Sequence, residues 1–274
     1  MARHTKKHAR EVRRDKLRDG ALRRIESVGD RLEGRGSAIL YGLGALALVG
    51  LLAFAYSLWS GRKANEAQQA MGRAIEIASA KVSSVPAPAA GPAELTYTTE
   101  RERAERAADE FKKVAEKYGE PYRSQANYLR AANLLSFDRA QGASQLEELT
   151  KNSNDEVAAW AKFALGQARE SDGQYDAAAA LYRELATARE PRVVPADTAN
   201  VRLAAVLEKQ GKTPEAAEIL FQIVKASREA KDKAGQPATP SAAARDAAEK
   251  LETLDPAKHA QLPPEPPAAS GLPS

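Results

Sequence analysis

Histidine and cysteine carry much of the metal and nucleophilic chemistry in proteins. This chain has three histidines and no cysteine. Without cysteine there is neither a disulfide framework nor thiolate chemistry. His4, His8 and His259 all lie near the chain ends. A Ser-His-Asp arrangement or a zinc site needs such groups converged on a folded scaffold, and these positions offer none. Carboxylates are plentiful, but they occur in runs such as Glu100–Glu105, which read as solvated faces with no isolated pair for acid–base work. The tetrapeptide Gln210–Thr213, "QGKT", resembles the end of a phosphate-binding loop. That motif needs a glycine where Val206 stands, and a strand before it where this chain predicts a helix. "GLG" at 42–44 lies in an apolar run and says nothing about dinucleotides. The sequence therefore predicts a non-enzyme with no catalytic, metal or cofactor residue.

What must position any remaining function is helix. Alanine, the best helix former, is abundant, whereas only 5% of residues are aromatic, a class that strands prefer. The basic charge is local. Residues 1–36 hold 12 Lys and Arg against 6 Asp and Glu, and the rest of the chain carries 29 against 31. A nearly neutral body predicts no nucleic-acid partner.

No charge interrupts residues 36–61, and Ser37–Ser60 is almost wholly apolar. As a helix these residues span roughly 36 Å, enough for a hydrocarbon core of about 30 Å. Tyr56 and Trp59 suit the interfacial belt, and the basic leader predicts a cytoplasmic N-terminus with the body across the membrane. Two readings compete: a buried helix of a soluble fold, although an uncharged run this long is rare there, and a cleaved signal peptide, because "AFA" at Ala53–Ala55 mimics a cleavage site. The run exceeds the usual length of such a segment, which favours an uncleaved anchor. The apolar residues of the leader have loosely helical spacing, so it lies on anionic lipid headgroups, touches a cytoplasmic partner or serves as a solvated topology signal.

The body repeats itself. Leu165–Leu185 aligns with Leu203–Ile223 at a spacing of 38 residues. Leu165 meets Leu203, Gly173 meets Gly211, Ala178 meets Ala216, Tyr182 meets Leu220, and Leu185 meets Ile223. Each copy reads as helix, glycine turn, helix, and self-similarity at this length predicts stacked helix pairs. Small residues let the second helix approach the first, and large residues one turn later fill the space between pairs. Ser124–Thr150 reads as a weaker copy. Glu105–Tyr122 reads as the second helix of a first unit whose first helix is Arg62–Val82. The linker at 83–99 is expected to be a long mobile loop within that unit. Ser241–Leu254 reads as a capping helix, and 255–274 as a proline-rich disordered tail.

These positions resemble the tetratricopeptide repeat. Leu165-Gly166, Gly173, Tyr175, Ala178 and Tyr182 match its pattern, and Leu203-Ala204, Gly211, Ala216 and Leu220 match it less aromatically. The fold expected is all-α: a single transmembrane helix at 37–60, then a superhelix of three to four such pairs over 61–254. The register of the first helix around Trp160 stays open. Trp160 with Phe163 and Ala164 also satisfies the pattern, at the expense of a longer turn.

Helical solenoids present a surface lined mainly by the first helix of each pair. With Leu165 setting the register, the groove candidates are Trp160, Phe163, Gln167 and Glu170. Their counterparts are Thr198, Val201, Glu208 and Lys209, with Ser124 and Asn127 in the weaker copy. Trp160 and Phe163 either anchor a peptide or pack between pairs.

The order of basic leader, single anchor, Pro/Ala linker and degenerate repeats resembles the YfgM-like family, ancillary subunits of the bacterial SecYEG translocon, although the leader here is longer than that family's. The resemblance implies an inner-membrane protein with a periplasmic repeat domain. It would bind protein partners, namely the translocon, chaperones or emerging envelope proteins, while 37–60 and the leader contact lipid. The alternative is a structural scaffold that coordinates cell-wall or cell-division enzymes.

Overall fold

The computed structural model describes residues 61–83, 95–188 and 193–265. The chain divides into two units, Met1–Asn65 and Glu66–Ser274. In the first unit the described residues, 61–65, are helical. The apolar span at 37–60 lies outside the described residues, as does the leader. Among the described residues no helix is long and apolar enough to cross a membrane.

Helix dominates. A helix over 61–79 (α1) leads to two short parallel strands, Lys81–Val82 (β1) and Thr96–Tyr97 (β2), which pair Lys81 with Thr96 and Val82 with Tyr97. Helices Glu100–Lys117 (α2), Tyr122–Leu134 (α3), Arg139–Leu149 (α4), Asp155–Ser171 (α5) and Tyr175–Thr187 (α6) follow. Ala196–Lys209 (α7), Thr213–Glu229 (α8), Ala242–Leu254 (α9) and Pro256–His259 (α10) complete the series. Several starts are set by local chemistry. Thr99, Asp138, Asn154, Ser241 and Asp255 each accept a first-turn backbone N–H on a side-chain oxygen, satisfying a donor with no partner inside the helix.

Consecutive helices pack in pairs: α3 with α4, α5 with α6, and α7 with α8. Met71 and Ala74 of α1 share one buried cluster with Phe111 and Val114 of α2. The second helix of each pair repeats one small-then-large motif. The small position holds Ala107, Gly142, Ala178 and Ala216, at spacings of 35, 36 and 38 residues. The large position, one turn later, holds Phe111, Leu146, Tyr182 and Leu220. All eight residues are buried. Small residues draw the paired helices together, and the large ones fill the volume beyond them.

The turns between helices repeat as well. Asp172–Gln174 and Gln210–Lys212 each join a pair in three residues. Gly173 and Gly211 sit at φ of 71° and 76°. The N–H groups of Gln174 and Lys212 reach back to the carbonyls of Arg169 and Leu207, at 2.8 and 2.9 Å, and close the preceding helix. The "QGKT" stretch is therefore a turn between helices. Because the left-handed region is disfavoured once a Cβ is present, Gly173→Ala and Gly211→Ala should each lower stability by about 1 kcal/mol. Urea unfolding of the full chain in mild detergent tests this. An unchanged midpoint for both variants would contradict it.

The equal turns decide the register that the sequence leaves open. Leu165 and Leu203 are both buried, and Gly166 and Ala204 follow them into the core. A Cβ on Gly166 would stand 2.7 Å from the Tyr182 ring, so glycine there is demanded by the partner helix.

The ends of two expected segments are ordered. The loop at 83–99 is tied at its base, where β1 pairs with β2, and Ser83 N–H donates to the Tyr97 carbonyl at 2.9 Å. Residues 84–94 lie outside the described residues. The tail does not begin at 255. Helix α10 forms, Leu262 is only 9% exposed within the main core cluster, and Arg228 on α8 donates to the Pro263 carbonyl. Lys258 also pairs with Glu218 and stands over the Phe221 ring. One buried leucine and these cationic contacts hold the segment through 265, against its proline content. Residues 266–274 lie outside the described residues.

Candidate functional site

Among the described residues, two grooves are lined by the first helices of successive pairs. The larger, of about 550 Å³, is bounded by α5, α7 and α9. Helix α5 supplies Phe163 and Gln167, and α7 supplies Thr198, Val201, Arg202 and Ala205. Helix α9 closes the groove with Ala242, Ala243, Asp246 and Lys250. The smaller, of about 290 Å³, is bounded by α1, α3 and α5. Met71 and Ile75 come from α1, Gln125, Tyr128 and Leu129 from α3, and Trp160 from α5. Helix α5 thus borders both, with Trp160 and Phe163 three residues apart on adjacent flanks.

The larger groove is amphipathic. Val201, Ala205 and Ala243 give an apolar base. The Phe163 ring leans on Tyr182 at a centroid distance of 5.9 Å and an angle of 59°, a tilted arrangement that favours aromatic pairs. Burial, reinforced by the carboxylate of Glu170, pushes the Tyr182 hydroxyl well above its ordinary range. The hydroxyl therefore stays protonated and donates to Glu170 at 3.0 Å. Arg202 stands 4.0 Å from Glu170, and Lys250 stands 3.8 Å from Asp246. The smaller groove is mainly apolar. Trp160 leans on Tyr128 at 5.7 Å, and Ile75 stays 47% exposed beside them.

Of the candidates from sequence, Phe163, Gln167, Thr198 and Val201 meet in the larger groove. Trp160 lines the smaller one instead, because Tyr128 of the preceding pair stacks on it. Glu170 faces inward, committed to the Tyr182 hydroxyl. Glu208 and Lys209 are exposed at the end of α7 and border neither groove. Ser124 is buried, accepting from Asn152 Nδ2 at 3.3 Å, so it joins α3 to the turn before α5. Asn127 is half-buried and lines neither groove. Sequence reasoning missed Arg202, Asp246 and Lys250. For Asp246 and Lys250 the signal is the spacing of four residues that puts Ala242, Asp246 and Lys250 on one face of α9. Taken as a cap, α9 hides its role as the next groove-lining helix.

No protein-family model, no curated protein and no solved structure matches the chain.

Proposed function

We propose that this chain is a membrane-tethered, non-catalytic scaffold of tetratricopeptide-like helix pairs, which captures protein segments along the face formed by its first helices. The anchor is the apolar span at 37–60, which places the repeat domain on the periplasmic side of a bacterial inner membrane. The partners are the Sec translocon and the chaperones or emerging envelope proteins beside it. One observation carries this reading: α5, α7 and α9 together form an open groove of about 550 Å³ that holds four residues expected there from repeat position alone. A groove with an apolar base and a polar rim suits a peptide segment better than a compact metabolite.

The test is photo-cross-linking in cells, with a photoreactive amino acid in place of Thr198 and, separately, Trp160. Adducts with a translocon subunit, an envelope chaperone or an exported protein are expected. Adducts with cytoplasmic proteins, or none from either position, would overturn the reading.

A further inference from the structure

We propose that α4 is a strap whose salt-sensitive clasp to α5 sets the width of the smaller groove. The device is independent of what the groove captures.

Helix α4 is thinly buried. Of its eleven residues only Gly142 and Leu146 are buried, whereas α2, α5 and α7 each bury six. Tertiary burial of an apolar face is the main hold on a short helix. Helix α4 therefore depends more than its neighbours on polar contacts. Leu146 is 0% exposed and shares a cluster with Ala131 of α3 and with Ala161, Ala164 and Leu165 of α5. One side chain thus wedges against both first helices, while α4 itself lines neither groove.

The two sides of α4 are held differently. Towards α3 the backbones nearly touch: a Cβ on Gly142 would stand 2.7 Å from the Leu135 nitrogen. Helices α3 and α4 therefore move together. Towards α5 the hold is largely ionic. Arg139, the first residue of α4, donates to Asp172 at 2.5 Å, and to the Ala168 carbonyl and the Ser171 hydroxyl at 2.8 Å each. These acceptors all lie at the C-terminal end of α5. Arg169 of α5 also donates to Glu147 of α4 at 3.1 Å. All four charged side chains are at least partly exposed, so salt reaches both pairs. The other end of α4 is tied. The turn at 150–154 joins it to α5, and Asn152 in that turn donates to Ser124 of α3 at 3.3 Å. A tied end opposite an ionic clasp makes a hinge.

The smaller groove depends on that hinge. Tyr128 of α3 leans on Trp160 of α5 at 5.7 Å, and both line the groove. When Arg139 lets go, the α3–α4 pair swings from α5 and the ring contact opens. The larger groove keeps its shape, because none of its lining belongs to α3 or α4.

The test uses the purified full chain in mild detergent, with two readouts. The first is amide hydrogen exchange, which reports local opening. The second is acrylamide quenching of Trp160, in a Trp59→Phe background that leaves it the single tryptophan. In the wild type, α4 should exchange faster than α5 and α7. Arg139→Gln should raise exchange in α4 about tenfold, the scale of a lost charge-assisted contact. It should also make Trp160 easier to quench. Raising the salt concentration should speed exchange in α4 of the wild type and change the variant much less. Asp172→Asn should act through the same clasp, so the double variant should exchange no faster than the faster single one. Arg183→Gln, which removes a surface pair with Glu215 at another junction, is the control and should leave α4 unchanged. Circular dichroism confirms that the variants stay folded.

Exchange in α4 as slow as in α5, or indifferent to salt, overturns the proposal. So does faster exchange in Arg139→Gln with unchanged quenching of Trp160, because α4 would then open without moving the groove.

Discussion

Replacing Tyr182 with alanine should lower the free energy of unfolding by about 3–5 kcal/mol, the range for removing a fully buried aromatic ring. Tyr182 is 0% exposed and is among the largest wholly buried side chains. It touches Gly166 on its own partner helix, leans on Phe163 and gives its hydroxyl proton to Glu170. Tyr182→Phe keeps the ring and removes that one donor, so its loss should be only about 1–2 kcal/mol. The next pair shows how the chain solves the same problem otherwise: Ala204 and Leu220 stand where Gly166 and Tyr182 stand here. Gly166→Ala alone drives a methyl against the ring, whereas Gly166→Ala with Tyr182→Leu reproduces the neighbouring combination. The double variant should therefore be more stable than the sum of its single effects predicts, by about 1 kcal/mol or more, as contacting residues do. Additive losses in urea titrations would show that the two residues are not coupled.

The same tyrosine predicts an alkaline weakness. Its folded-state pKa is raised, so the folded form holds a proton that the unfolded chain releases near the ordinary tyrosine value of about 10. The stability it contributes is fully present below that pH and falls as pH rises above it. Wild type should lose stability faster than Tyr182→Phe above about pH 10. Parallel curves would show that the hydroxyl is not held protonated.

Gly142→Ala should also destabilise, although a glycine-to-alanine change inside a helix ordinarily adds about 1 kcal/mol of stability. A Cβ at Gly142 would lie 2.7 Å from the Leu135 nitrogen and 3.0 Å from the Ala131 carbonyl oxygen. These are backbone atoms at the end of α3, so no side chain can swing aside and the two helices must part. Overpacking of this kind costs about 1–3 kcal/mol or more, which outweighs the propensity gain. Gly72, with nothing near its missing Cβ, is the control. Gly72→Ala should leave stability unchanged or raise it slightly. If Gly142→Ala behaved like the control, α3 and α4 would not approach as closely as described.

Much of the scaffold was legible because it obeys short-range rules. Helical spacing of small and large residues marked Ala178, Tyr182, Ala216 and Leu220. The need for positive φ marked Gly173 and Gly211. The site was legible only in part. Phe163, Gln167, Thr198 and Val201 line one groove, since equivalent positions on successive first helices face the same way. Trp160, Glu170 and Ser124 stand apart from that group, because each is engaged by a particular neighbour: Tyr128, Tyr182 and Asn152. Those partners lie 12 to 32 residues away, and nothing in local spacing announces them.

The sequence alone therefore determined the helices, their pairing and the two glycine turns, because propensity, period and backbone stereochemistry act within a few residues. Only the tertiary structure decided the register of α5, the direction in which Trp160 points, the closing of a groove by α9, and the tying of 255–265 to α8. Each depends on the shape and charge left free when separately specified helices meet, and that is a property of the packed assembly rather than of any one segment.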